Sequence, residues 1–318
     1  MSSFWKKLPR PFLVLAPMEG VTDFVFREIM TDLPRPDVLV TEFTSADGIC
    51  SAGREPTIQR FKYSSKQHPI VAQIWGTRPE TLNQTAALVQ ELGFDGVDIN
   101  MGCPDKSVMK QGAGGAMCKT PALAKEIIHA VKEGAPKIAV SVKTRLGFNK
   151  IITEEWIPFL LEQQVDALTI HGRTAKQRSN GSANWDEIGK AIAMRDTIAP
   201  ETVIIGNGDI KSYKEALSAH EMHHVDGVMI GRGVFSNPWV FEKTVTPVHR
   251  DRTEYIAVLK KHLTLYVDTW GVDRHFDIMK KFFKMYVNNF PEAAQLRAVL
   301  MECSNKEEVL EALSKRGL

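Results

Sequence analysis

The stretch Asp95-Gly-Val-Asp-Ile-Asn-Met-Gly-Cys-Pro104 decides how the chain is read. Its first half alternates polar and apolar residues, as a half-buried strand does. Gly102 and Pro104 then break the strand and force a turn. Cys103 is left just past the strand's carboxyl end. A thiol there is either a small packed group or one that faces a ligand, and free cysteines are often buried. The rest of the chain has to decide between the two.

Short Val/Ile-rich runs recur on both sides of this stretch. Before it come Phe12–Ala16, Val38–Phe43 and Ile70–Trp75. After it come Ile138–Lys143, Ala167–His171, Val203–Asn207 and Gly227–Gly231. With Gly96–Asn100 they make eight. Helical segments separate them: from a cap at Thr22 or Asp23 to Met30, Pro79 to Leu92, and Pro121 to Glu133. Others lie around Glu154–Gln163, Trp185–Arg195 and Ser212–His220, and Asn237-Pro238 opens one more. Buried parallel strands read this way, and eight such units predict an α/β fold, a closed (β/α)8 TIM barrel. A doubly wound open sheet is the alternative.

After about residue 245 the pattern changes to periodic helices alone. They are expected over Thr253–Trp270, Phe276–Asn289, Glu292–Cys303 and Lys306–Ser314. Ser304, three residues before Glu307, resembles a capping box. The expected organisation is a catalytic barrel over 1–245 and a C-terminal all-helical domain over 246–318. A length of 318 residues suits a barrel plus a small domain.

Hydrophobic residues make up 43% and charged residues 25%, ordinary values for a globular chain. The net charge of +2 is too small to indicate nucleic acid by itself. None of the four cysteines forms a C-x-x-C pair, so no zinc signature is present and no metal is expected. The N-terminal Met1-Ser-Ser-Phe-Trp-Lys-Lys has no signal-type apolar stretch, and no run of about 18 apolar residues predicts a membrane span. A cytoplasmic protein of a reducing compartment is expected.

In a barrel enzyme the strands' carboxyl ends converge on one mouth. Here those ends carry Pro17-Met18, Glu42, Gln73, Asn100 with Cys103, Lys143, His171, Asn207-Gly-Asp209 and Gly231-Arg232. One polar strand end is ordinary structure, but so many together point to a site. Asn207-Gly-Asp209 and Gly231-Arg-Gly233 follow runs seven and eight, where barrels often hold a phosphate, and offer bare N–H groups with a guanidinium. A phosphorylated ligand is therefore expected. Lys143 can form a Schiff base or stay charged and stabilise an anion, and a flavin suits the second role. Gly112-Ala-Gly-Gly115 looks like a dinucleotide fingerprint but follows no strand, and is read as a flexible loop near Cys103 of lid type.

These residues resemble the FMN-dependent tRNA-dihydrouridine synthases. The matching motifs are Ala16-Pro-Met-Glu-Gly-Val-Thr-Asp23, Thr41-Glu-Phe43, Gln73-Ile-Trp-Gly76 and Asp98-Ile-Asn-Met-Gly-Cys-Pro104. They continue in Lys143-Thr-Arg145, His171-Gly-Arg-Thr174, Asn207-Gly-Asp209 and Gly231-Arg-Gly233. The resemblance implies an FMN barrel and a helical domain that helps hold tRNA. It implies that Pro17, Met18, Gln73, Lys143, His171, Asn207, Gly208, Asp209, Gly231 and Arg232 surround FMN. Glu19 joins this set, although many relatives have a small residue there. Asn100 would contact the target uracil, with Arg145 and Arg173 as substrate contacts.

The implied reaction reduces the C5=C6 bond of tRNA uridines, with NADPH as reductant, hydride passing from flavin N5 to C6 and a proton from Cys103 to C5. A monomer with tRNA as partner is expected. Twelve Lys+Arg stand against ten Asp+Glu from Arg250 onward, concentrated in Arg274 and Lys280-Lys281-Phe-Phe-Lys284. These could contact phosphate or form an ordinary solvated face. The competing readings are a reductase of a free pyrimidine, like the dihydroorotate dehydrogenases, a flavin-free Schiff-base enzyme on Lys143, and a non-catalytic RNA-binding barrel.

Overall fold

The computed structural model describes residues 3–246, 248–288 and 290–318. Eight parallel strands form the sheet: β1 (Phe12–Leu15), β2 (Val38–Val40), β3 (Ile70–Trp75), β4 (Gly96–Met101), β5 (Ala139–Arg145), β6 (Ala167–His171), β7 (Val203–Asn207) and β8 (Gly227–Ile230). Each pairs with the next, and β8 pairs with β1, so the sheet closes into a barrel. A two-residue strand, Thr44–Ser45, lies beside the end of β3.

The period-two alternation of the strands sorts their side chains. Leu13, Leu15, Ile74, Val97 and Ile99 face outward into the main hydrophobic cluster under the helices. Phe12, Val14, Val40, Val71, Ala139, Ala167, Val203 and Met229 fill the barrel itself, with Trp5 closing its lower end. Continuing four of the inward tracks toward the carboxyl end changes their chemistry. Val71 is followed by Gln73, Ala139 by Ser141, Lys143 and Arg145, Ala167 by Thr169 and His171, and Ile205 by Asn207. The barrel is thus apolar below and polar at its mouth.

The outer helices are α1 (Phe24–Asp32), α2 (Pro79–Glu91), α3 (Pro121–Gly134), α4 (Thr153–Leu161), α5 (Trp185–Ile198) and α6 (Tyr213–His223). Asp23 caps α1 through the Phe26 amide at 3.0 Å, and Ser212 caps α6 through Glu215 at 3.2 Å. The C-terminal helices are α7 (Arg252–Trp270), α8 (Lys280–Tyr286), α9 (Ala293–Glu302) and α10 (Lys306–Ser314). Their apolar residues join the cluster that covers the barrel, and Phe282 stacks on Phe26 of α1 at 5.4 Å.

Polar ties reinforce that junction. Trp270 Nε1 and Arg274 Nη1 both donate to Asp23 Oδ2, at 3.0 and 3.1 Å, while Arg274 lies 3.6 Å over the Trp270 ring. Lys281 donates to the Gly20 carbonyl, and Lys261 pairs with Asp32 at 2.8 Å.

Several expectations change. The run Val38–Phe43 is a strand only to Val40. Glu42 leaves the strand, is buried, and accepts the Gly20 amide at 2.6 Å. The helix expected over Phe276–Asn289 is a 3-10 turn, Phe276–Met279, followed by α8, and Asn289 lies outside the described residues. The cap of α10 is Asn305, which accepts the Glu308 amide at 2.9 Å, so the capping role of Ser304 is displaced by one residue. The box itself occurs at α7, between Asp251 and Glu254.

The glycine-rich segment Gly112–Gly115 is not a lid. Residues Gly114–Lys119 form a 3-10 helix, buried through Cys118 and seated on the Cys103 turn. A Cβ on Gly114, whose φ is +59°, would meet the Cys103 carbonyl at 2.8 Å. Gly114 and Gly115 allow close packing against the Cys103 turn.

Candidate active site

The strand ends enclose a cavity of about 540 Å³ at the barrel mouth. Eleven of the residues singled out in the sequence line it: Pro17, Met18, Lys143, Arg145, His171, Arg173, Asn207, Gly208, Asp209, Gly231 and Arg232. Glu19, Gln73, Asn100 and Cys103 stand outside that lining. The Glu19 carboxylate turns away to pair with Arg60, at 2.5 and 2.6 Å.

One wall comes from the loops after β7 and β8. Gly208 has φ +138°, and a Cβ there would meet Ala183 Cβ at 2.5 Å and the His171 ring at 3.3 Å. Asn207 bridges the floor, accepting Lys143 Nζ at 3.0 Å and donating to the Met229 carbonyl at 2.8 Å. The Arg232 guanidinium is 62% exposed at the rim and lies 3.7 Å from Asp209.

The cations around the cavity shape its electrostatics. Burial, helped by Arg145, lowers Lys143 to about 8, against the pull of Asp98 and Cys103. Burial likewise lowers Arg145 to about 10. His171 is pushed down by burial and then by Arg145, Lys143, Arg173 and Arg232, so its ring is neutral. A cavity lined this way favours an anion.

Two arginines are committed to the protein itself. Arg145 donates through Nε to the Gly102 carbonyl at 2.7 Å and through Nη1 to those of Thr174 and Arg178 at 3.1 and 2.9 Å. Arg173, 2% exposed, donates to the Gly181 carbonyl and through Nη2 to both Asp209 oxygens, at 2.8 and 2.6 Å. Their charge reaches the cavity while most of their donors hold loops.

The Cys103 turn is fixed from every side. Asn100 Oδ1 accepts the Gly102 and Cys103 amides at 3.1 and 2.9 Å, and the Cys103 carbonyl accepts from Gly115 at 2.8 Å. Burial raises the Cys103 thiol above its ordinary value, against the Asp105 backbone amide. The thiol is therefore neutral near neutral pH. Alkylation of Cys103 by iodoacetamide is expected to stay slow at pH 7 and to rise only above the usual thiol range, followed by mass spectrometry over pH.

Below the turn lies a buried chain that the sequence reading passed over. Asn100 Nδ2 donates to Gln73 Oε1 at 2.9 Å, and Gln73 Nε2 donates to Asp98 Oδ2 at 2.7 Å. Ser141 Oγ donates to Asp98 Oδ1 at 2.7 Å. Burial raises Asp98 to about 6, against hydrogen bonds from Ser141 and Gln73 and the charge of Lys143. The available signal was spacing, since Asp98 lies two residues before Asn100 on the same strand face.

Among the described residues no helix is long and apolar enough to cross a membrane, and no group of three or more His, Cys, Asp or Glu could hold a metal.

The family described as "Dihydrouridine synthase (Dus)" matches residues 14–316. A probable tRNA-dihydrouridine synthase of Staphylococcus aureus strain Mu50 is 42% identical over 314 residues, covering 98% of this chain and 93% of that one. Probable tRNA-dihydrouridine synthase 2 of Bacillus subtilis strain 168 is 41% identical over 311 residues, covering 96% and 94%. Among solved structures, morphinone reductase in complex with tetrahydroNAD is 13% identical with a TM-score of 0.50, over 76% of this chain and 89% of that one. Histamine dehydrogenase from Rhizobium sp. 4-9 is 13% identical with a TM-score of 0.53, over 80% and 48%. At that identity the likeness to the two structures is one of fold.

Proposed function

The chain belongs to the dihydrouridine synthase family and acts on tRNA, and we propose that it holds FMN in the barrel-mouth cavity and protonates the uracil from Cys103. The observation that carries this reading is the neutral thiol on a rigid turn beside a cationic cavity. The cavity's size lies within the range of small-molecule sites. Gly231, where a Cβ would meet only Ala16 and Met18 at 3.5 and 3.7 Å, leaves the backbone open to a ligand. Gly231 and Arg232 suit the phosphate, and Lys143 suits the electron-rich edge of a flavin ring. Met18, Pro17, His171 and Asn207 complete the walls.

When bound, FMN supplies the hydride for C6 of the target uracil after reduction by NADPH. The uridine leaves the RNA stack to reach the mouth. Cys103 keeps its proton on Sγ because burial disfavours the thiolate, and gives it to C5 as charge develops on the ring. Asn100 Oδ1 is committed to the turn, which leaves one N–H of its Nδ2 for a uracil oxygen. Arg145 supports the reading by holding the turn's carbonyl side while placing positive charge on the cavity.

Residues 246–318 are proposed as the unit that helps hold tRNA, in a monomer of the cytoplasm. Of the basic residues named in the sequence, Arg274 pairs with Asp23, Lys280 pairs with Asp277, and Lys281 is tied to Gly20. Lys284 is exposed and is the cleaner probe. Lys284→Glu should weaken tRNA binding and reduce the salt slope by about one, with flavin absorbance unchanged. Unaltered binding across a salt titration would remove Lys284 from the RNA surface.

The test of the whole reading is to map dihydrouridine in tRNA from cells with and without the gene. The purified protein should also show flavin absorption and restore the missing positions with NADPH. A colourless protein that gains nothing from added FMN would overturn the cofactor assignment.

A further inference from the structure

We propose that Asp98 is a positioning residue for the proton donor, fixing through Gln73 and Asn100 the face that the Gly102–Cys103 turn docks on. The proposal rests on the reading of Cys103 as that donor. Gln73, Asp98, Asn100 and Ser141 are all buried between β3, β4 and β5.

The hydrogen bonds of this chain run in one direction. An amide side chain has nearly the same shape with its oxygen and nitrogen exchanged, so its partners decide which way it faces. An ionised carboxylate only accepts. Asp98 therefore requires Gln73 to present Nε2 to it, which leaves Gln73 Oε1 for Asn100. Asn100 must then present Nδ2 to Gln73, which leaves Oδ1 for the amides of Gly102 and Cys103. Ser141 occupies the other carboxylate oxygen and holds Asp98 itself. Each link has one donor and one acceptor, and the carboxylate fixes the direction from one end as the Gly102 and Cys103 amides do from the other.

Without an acceptor at position 98, Gln73 Nε2 is left buried and unpaired, and only the bond from Asn100 still favours this orientation. Turned over, it would offer Nε2 to Asn100, whose Oδ1 would turn to meet it. Asn100 Nδ2 would then face two backbone donors, and the turn would have to move. Displacing a proton donor by about 1 Å costs on the order of 100-fold in rate. Neither Asp98 nor Ser141 lines the cavity, so the effect belongs on the chemical step rather than on tRNA binding.

Two variants test this. Asp98→Val fits a strand and removes the acceptor. It should lower the maximal rate of dihydrouridine formation per bound flavin by about 100-fold, with KM for tRNA within about twofold. Asp98→Asn can still accept from Gln73 while donating to Ser141 Oγ, and should keep the rate within about tenfold. Hydrogen exchange at Gly102 and Cys103 should be slow in the unaltered protein and in Asp98→Asn, and faster in Asp98→Val.

An unchanged rate in Asp98→Val, or a rise in KM alone, overturns the proposal. So does an equal loss in both variants. If Asp98→Val does not accumulate, exchange decides alone, because fast exchange at Gly102 and Cys103 in the unaltered protein shows that the turn is not held. Full activity of Cys103→Ala would instead sink the donor reading and leave the exchange result standing.

Discussion

Cys103→Ala lowers the rate of uridine reduction by about two to four orders of magnitude, the range for losing a general acid, while flavin absorbance and thermal stability stay close to those of the unaltered protein. The selectivity follows from geometry. The turn is held through backbone groups, by Asn100 on its amides, Arg145 on the Gly102 carbonyl and Gly115 on the Cys103 carbonyl. None of these contacts uses the thiol. Removing Sγ therefore leaves the scaffold in place and takes away only the proposed proton donor. A single-turnover assay, with flavin oxidation and dihydrouridine measured together, reads this directly. Full conversion at the unaltered rate would mean that solvent or another group protonates C5.

The second large effect is on stability. Arg173→Ala should destabilise the fold by about 3 kcal/mol, because it strips a buried cation from its partner and leaves Asp209 only the more distant Arg232, 3.7 Å away. The value lies at the lower end because Asp209 is partly exposed. For a chain of this size each kcal/mol lowers Tm by about 2 °C, so a drop of roughly 6 °C is expected in calorimetry. The sequence reading made Arg173 a substrate contact. A substrate contact would weaken tRNA binding with Tm unmoved. In the structure Nε and Nη2 donate to the Gly181 carbonyl and Asp209, so the stability of the loop rests on them while Arg173 also lines the cavity.

The difference shows what was legible in the sequence. The strands could be read because their Val/Ile runs are buried on both faces, and all eight begin on the residue expected or one after it. The set of polar strand ends was also legible, because a closed barrel sends them all to one mouth. What each polar group does there was not. A guanidinium at a strand end reads alike in sequence whether it grips a ligand or three backbone carbonyls, and the loops that supply the carbonyls decide. Arg145 depends on Thr174 and Arg178, some thirty residues further on. Arg27 is another such case. It is fully buried in α1 and donates to the carbonyls of Thr22 and Lys62, each at 2.6 Å, contacts that no local pattern announces. Gly112–Gly115 misled for a related reason. Glycine signals freedom in a sequence, but Gly114 and Gly115 mark the absence of room beside Cys103.

Asp23 closes the account of the C-terminal helices. It caps α1, just after the segment that carries Met18 into the cavity wall, and accepts Trp270 and Arg274 on its other oxygen. Lys281 grips Gly20 in the same segment. The terminal helices are therefore also a brace for one side of the mouth. A chimaera that borrows residues 252–318 from a relative with a different RNA preference replaces the brace along with the proposed RNA surface. Where the graft lacks counterparts of Trp270, Arg274 and Lys281, altered turnover would report a loosened Met18 segment and be misread as altered docking. A clean exchange has to transplant residues 17–32 together with the helices, as one piece.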